Sequence, residues 1–181
     1  MIRSEDELLA AHVAGDRFAF AELVDRLTGT LWSVARGALN SPEDADEAVQ
    51  DALIRAHQGA GRFRGDSSVA TWVVQILVNV CLDRRRYNRS RAAIPLSGAV
   101  LELVGGSQDP ISALETRLEV WTALDELPAQ QRLPIVLVDV HDYPVAEVAR
   151  MLGIPAGTVK SRCARGRARL LTLLRDVEEV A

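Results

Sequence analysis

Lysine is nearly missing from this chain: Lys160 is the single one, against 20 arginines. Aromatic residues are also sparse, at 4%, which leaves little material for aromatic-lined pockets. The only cysteines, Cys81 and Cys163, lack metal-ligand spacing and exclude a disulfide framework. Each reads as a small buried hydrophobe, with a redox switch as the alternative. No apolar run approaches the roughly 18 residues of a membrane span. The N-terminus, MIRSEDELLA, puts acids where a secretory apolar core would begin, so a cytosolic protein is expected. His12, His57 and His141 are scattered and assemble with nothing obvious. No segment alternates with period two long enough to make a convincing strand, and the chain reads as all-α.

What is present is 181 residues with 48% apolar content, enough for one medium domain or two small ones. The net charge of −4 argues at first against nucleic acid. The average misleads, because affinity for DNA follows local phosphate neutralisation. Between Glu147 and Asp176 lie seven basic residues and no acidic one.

That stretch, VAEVARMLGIPAGTVKSRCARGRARLLTLL, has the spacing of a helix-turn-helix: Ala149 at a helix crossing, Gly153 at the turn, Val159 as apolar anchor. At about 100° per residue, Val159, Cys163, Gly166, Leu170, Leu173 and Leu174 share the face expected to be buried. Ser161, Ala164, Arg165 and Ala168 point away, small enough to let the backbone approach a groove wall. Arg162, Arg165 and Arg169 line one flank, Lys160 and Arg167 the other. Such a helix suits a major groove, with its flanks on phosphates. A solvated surface helix is the plain alternative.

The first half reads as four helices. Ser4 with Glu7 makes a capping box for the first, through His12 and Val13, and Asp16 can cap a second running to about Leu39. Ser41-Pro42-Glu43-Asp44 starts a third, to about Gln58. Ala45, Val49, Ala52, Leu53 and Ala56 should face inward there, leaving Asp46, Glu47, Gln50 and Asp51 as an acidic outer stripe. Three readings of the stripe stand open: a solvated face, a carboxylate cluster for Mg²⁺, or docking onto a basic partner protein. A polar loop from Phe63 to Ser68 precedes a fourth helix, about Val69 to Tyr87. Val69, Trp72, Val73, Ile76 and Val80 form its expected buried face, and Thr71, Gln75 and Asn79 a polar stripe. Val78 and Leu82 are expected to be exposed, as contacts for a partner. Arg84, Arg85 and Arg86 follow, suited to nucleic acid.

From Asn88 to Ala113 periodicity fails, which reads as a linker. At about 5–6 Å × √n it lets two helical domains sit tens of ångströms apart. The expected layout is residues 1–90, a linker over 91–112, and a second domain over 113–181. Leu114, Leu118, Trp121, Leu124 and Leu127 open that domain at helical spacing before Pro128.

On these residues the chain resembles the extracytoplasmic-function group of bacterial sigma factors, the small two-domain proteins that direct RNA polymerase to promoters. DADEAVQDALIRAH resembles the family's region 2.2, FRGDSSVATWVVQILVNVCLDRRR regions 2.3 to 2.4, and ALDELPAQQR through LGIPAGTVKSRCARGRARL region 4. Arg162, where an ordinary helix-turn-helix has an apolar residue, is shared with the family.

The resemblance implies that Asp46, Glu47, Gln50 and Asp51 dock on the coiled coil of the polymerase β′ subunit. It assigns the minus-ten element to the Phe63–Thr71 loop and the stripe through Asn79, with Arg84, Arg85 and Arg86 on nearby phosphates. The minus-thirty-five element falls to Thr158, Lys160, Ser161, Arg162 and Arg165, with Arg169 beside them, and the β flap to the other side of region 4. An anti-sigma partner, a stress-type regulon and no catalysis or cofactor are implied as well. With so few aromatics, promoter melting should be weaker and demand a closer promoter match. A helix-turn-helix activator or repressor that never docks in polymerase is the alternative. Three positions depart from the family pattern. Pro134 should delay or kink a helix, His141-Asp142 replaces a glycine-containing turn, and Gly166 on the buried face suggests close helix packing.

Overall fold

The computed structural model describes residues 3–90 and 120–178, all helix and connecting turns with no strand among them. They belong to two compact units, one within Met1–Ser97 and one within Gly98–Ala181. The expected linker, 91–112, lies outside the described residues, as do Leu114 and Leu118.

In the first unit, α1 (Glu5–Val13) begins at the expected capping box: the Glu7 amide donates to Ser4 Oγ at 3.2 Å and the Ser4 amide to Glu7 Oε2 at 2.6 Å. The second helix, α2 (Ala19–Ala38), starts later than expected. Asp16 instead turns the chain before it, its Oδ1 accepting from the Phe18 amide at 3.0 Å. Next, α3 (Pro42–Gly59) opens with Ser41 Oγ accepting from the Asp44 amide at 3.2 Å and proline in the first turn. A short 3₁₀ turn (Ala60–Arg62) leads to α4 (Val69–Ser90), started by Ser68, whose Oγ accepts from the Thr71 amide at 3.1 Å.

Packing in this unit is organised around α4, which meets α1, α2 and α3. Its buried residues therefore spread over much of its circumference: Val69, Val73, Val74, Leu77, Val78, Val80 and Cys81 are all at most 4% exposed. This corrects the expectation for Val78, which at 0% exposure cannot be a partner contact; Leu82 is half-buried. Opposite, α3 buries Ala45, Ala48, Ala52 and Ala56, small side chains that bring its backbone close to its neighbours. Leu53 is half-buried, less enclosed than expected.

The second unit begins, among described residues, with the helical stretch 120–125 (α5) and then α6 (Ala129–Ile135). Pro134 sits inside α6 without delaying its start. The disturbance falls just downstream, where Val136–Val140 widens into a π-turn closed by the His141 amide donating to Val136 O at 3.1 Å. Asp142 then takes φ 56°, the left-handed conformation that a glycine would adopt freely. The unit ends with α7 (Val145–Leu152) and α8 (Ala156–Glu178). Arg132 is 1% exposed and gives a 2.7 Å hydrogen bond to Asp125 Oδ1, pinning α6 to α5. No helix of the described residues is long and apolar enough to cross a membrane.

Candidate nucleic-acid and protein interfaces

The outer side of α3 carries Asp46, Glu47, Gln50 and Asp51, all exposed, as the helical spacing requires once the alanine face is buried. Three of these four are held by side chains from neighbouring helices. Trp32 of α2 donates its Nε1–H to Asp46 Oδ1 at 2.9 Å. Arg84 of α4 reaches the others: Nη1 lies 2.5 Å from Glu47 Oε2 and 3.3 Å from Asp44 Oδ1, and Nη2 lies 3.3 Å from Asp51 Oδ2. Asn88 adds a 3.0 Å bond to Asp44 Oδ2. The hydrogen bond to Glu47 is the main reason the Arg84 guanidinium holds its proton still more tightly than usual. These side chains border an open groove of about 550 Å³ between α3 and α4. Among the described residues, no three His, Cys, Asp or Glu side chains are disposed to hold a metal ion.

At the start of α4, Phe63 and Trp72 pack ring to ring, centroids 5.2 Å apart, and Trp72 also covers Gly59. Thr71 and Gln75 are half-buried and Asn79 is exposed, with Gln75 Nε2 donating to Asn79 Oδ1 at 3.3 Å. The polar stripe is therefore continuous along one line of the helix. The three arginines at its far end separate: Arg84 turns to α3, Arg85 is half-buried, and Arg86 projects with its side chain 75% exposed, beside Asp83 at 2.6 Å.

In the second unit, α7 ends on Gly153 at φ 62°, whose amide donates to Ala149 O and Arg150 O. This turn places Pro155 before α8, which buries Val159 (0%), Cys163 (2%) and Gly166 against its neighbours. Burial fades along the same face, Leu170, Leu173 and Leu174 being half-buried, and Leu171 beside it is 60% exposed. Lys160, Ser161, Ala164, Arg165, Ala168 and Arg169 are exposed on the other side, with Thr158 and Arg162 half-buried at its margin. Ser161 Oγ donates to Thr158 O at 3.0 Å, and Arg165 Nε to Ser161 O at 3.2 Å, which lays the Arg165 stem along the helix. Arg167 points elsewhere, bonding both Asp139 oxygens at 2.9 and 2.7 Å and tying α8 to the π-turn.

Two features escaped the sequence reading. His12 and His57 meet at 4.5 Å between ring centroids, each 4.9 Å from Phe20, so two of the three histidines do assemble. The acid partners of Arg84 lie 33 to 40 residues upstream, beyond any helical spacing. The cysteines behave as expected: burial pushes the Cys81 thiol up to about 12 and raises that of Cys163.

Known proteins resemble this chain over both units. Family models for sigma-70 region 2 and sigma-70 region 4 match residues 23–91 and 117–170. The chain is 49% identical over 172 residues to the extracytoplasmic-function (ECF) RNA polymerase sigma factor SigM of Mycobacterium tuberculosis, covering 95% of this chain and 85% of that one. It is 30% identical to the ECF sigma factor SigW of Bacillus subtilis, over 90% of this chain and 92% of the other. Among solved structures, the sigma factor RpoE of Bartonella quintana, crystallised with the anti-sigma factor NepR, matches with a TM-score of 0.69 at 27% identity, covering 87% of this chain and 98% of that one. CnrH in complex with the cytosolic domain of CnrY matches at 0.63 and 25% identity, over 95% and 97%.

Proposed function

The chain belongs to the extracytoplasmic-function group of bacterial RNA polymerase sigma factors, and from that membership we propose how its surfaces divide the work of initiation. A sigma factor binds core RNA polymerase and directs it to promoters; it is an initiation factor and no enzyme. The unit within residues 1–90 acts as region 2 and that within 113–181 as region 4. The exposed acids Asp46, Glu47 and Asp51, with Gln50, dock on a basic surface of the polymerase, the β′ coiled coil. The Phe63–Thr71 loop, Asn79 and the arginines Arg85 and Arg86 meet the minus-ten element. Thr158, Lys160, Ser161, Arg162, Arg165 and Arg169 meet the minus-thirty-five element, the small outward residues of α8 admitting a groove wall. The half-buried Leu170, Leu173 and Leu174, on the other side of α8, are where the β flap would pack. An anti-sigma partner, a stress-type regulon and a cytoplasmic location follow from the same membership.

The observation that carries the reading is charge segregation: an exposed acidic face on α3 in one unit, and an exposed cationic face on α8 in the other. Its test is reconstitution. The purified chain is expected to comigrate with core polymerase and support run-off transcription from promoter fragments. Asp46→Arg with Asp51→Arg should weaken the union with core by about tenfold or more, because like charges then face a basic partner. Undiminished core binding by that variant would overturn the docking assignment.

A further inference from the structure

We propose that Arg84 is a positioning residue of the protein-docking face on α3 and does not serve the nucleic acid. The inference rests on the docking assignment made above. Three consecutive arginines at the end of α4 look interchangeable in sequence, and the structure separates them. Arg84 is drawn back across the α3–α4 groove, its side chain only 20% exposed, with both terminal nitrogens bonded to carboxylates from three successive turns of α3. Arg86 stands 75% exposed and, among the described residues, pairs with its own-helix neighbour Asp83.

A single exposed ion pair contributes little, since water and side-chain entropy offset it. This arrangement differs on two counts. One planar guanidinium spans Asp44, Glu47 and Asp51, so a single ordered side chain fixes three others. Without it, three carboxylates would share one stretch of helix with no cation between them, and mutual repulsion would turn them into solvent. For Arg84 to reach a phosphate it would have to leave all three acids. Trp32 completes the arrangement from the other side by holding Asp46. The docking face is thus set before the partner arrives, and pre-organisation of this kind shows in the lifetime of a complex more than in its rate of formation. Removing Arg84 also makes the face more negative, which speeds encounter with a basic partner or leaves it unchanged.

The experiment measures association and dissociation of the full chain with core polymerase, and then the salt dependence of promoter binding by the assembled holoenzyme. Arg84→Gln should dissociate from core on the order of three- to tenfold faster with no slower association. Its promoter-binding salt slope should match that of the natural chain. Arg86→Gln should do the reverse, leaving core kinetics alone and lowering the slope by about 0.7–0.9. Arg84→Lys keeps one charge but no fork, and should fall between the natural chain and Arg84→Gln in dissociation rate. In a Glu47→Gln/Asp51→Asn background, which leaves Asp44 of its three acids, the effect of Arg84→Gln on dissociation should shrink severalfold, while the melting midpoint of the free chain, which a merely fold-stabilising arginine would move, should change little. A lowered salt slope for Arg84→Gln, or unchanged dissociation from core in both Arg84 variants, overturns the proposal. Asp46→Arg, which leaves the partners of Arg84 in place, separates the two ideas: if it binds core normally, the docking assignment itself has failed.

Discussion

Gly166 offers a sharp test of how closely α8 is held against α6. An ordinary helix gains about 1 kcal/mol when a central glycine becomes alanine. Here a Cβ on Gly166 would fall inside the van der Waals shell of Ile135 Cδ1, while its distances to Ile135 Cγ1 and Gln131 Cβ would be an acceptable 3.4 Å. Ile135 is 3% exposed, so its end methyl can move only against other core atoms. Overpacking of this kind costs about 1–3 kcal/mol. Gly166→Ala should therefore lower the stability of the second unit by about 0–2 kcal/mol despite its better helix propensity. Ile135→Val deletes the one offending methyl, at about 0.5–1.5 kcal/mol for the lost contact. In that background Gly166→Ala should become stabilising by about 1 kcal/mol, a coupling of at least ~1 kcal/mol between two positions 31 residues apart. Urea melts of the four proteins in a Trp32→Phe/Trp72→Phe background, which leaves Trp121 as the one tryptophan, isolate this unit. Equal stabilisation by Gly166→Ala in both backgrounds would refute the close approach.

Two further outcomes are expected. His141 is held below its ordinary value of 6.5, chiefly by burial and against the pull of the Asp142 carboxylate, so the unfolded chain takes up the proton first. Its contribution is complete above pH 6.5 and is lost as the pH falls below that toward the folded-state value, so melts of the second unit should weaken over that window and His141→Asn should flatten the trend. On promoter fragments, Arg165→Gln should lower the salt slope by about 0.9 while Arg167→Gln leaves it unchanged, because Arg167 is already spent on Asp139.

Much of the architecture was legible because its determinants are local. The Ser4 capping box, the Ser41-Pro42 start, the αL glycine at 153 and the buried face of α8 each need only a few neighbouring residues to specify them. What escaped depends on which helices lie alongside. A single buried stripe on α4 would leave Val78 in solvent. Val73, Val74, Ile76, Leu77, Val78, Val80 and Cys81 leave almost no polar arc, the mark of a helix enclosed on several sides. Of the two effects expected from Pro134, the delayed start is excluded, since α6 runs through the proline and the helix widens just after it. No local pattern joins His12 to His57 or Arg84 to Asp44; only the packing of α1 and α4 on their neighbours does so.

The same reasoning changes what the arginine count means. Read as a string, the chain has 20 arginines for phosphate, and the stretch between Glu147 and Asp176 alone supplies seven basic residues. In the folded chain Arg3 bridges Asp16 and Glu22, Arg84 spans three acids, Arg132 is buried on Asp125, and Arg167 chelates Asp139. Each uses the guanidinium fork to join two segments, a task a lysine ammonium performs poorly. The scarcity of lysine thus serves construction as well as recognition. If the proposed contacts of Lys160, Arg162, Arg165 and Arg169 hold, region 4 should contribute a slope near −3.6, the value for about four phosphates. A net charge of −4 is compatible with DNA binding on those terms, because the stretch between Glu147 and Asp176 holds no acid and several acids elsewhere are closed into internal ion pairs.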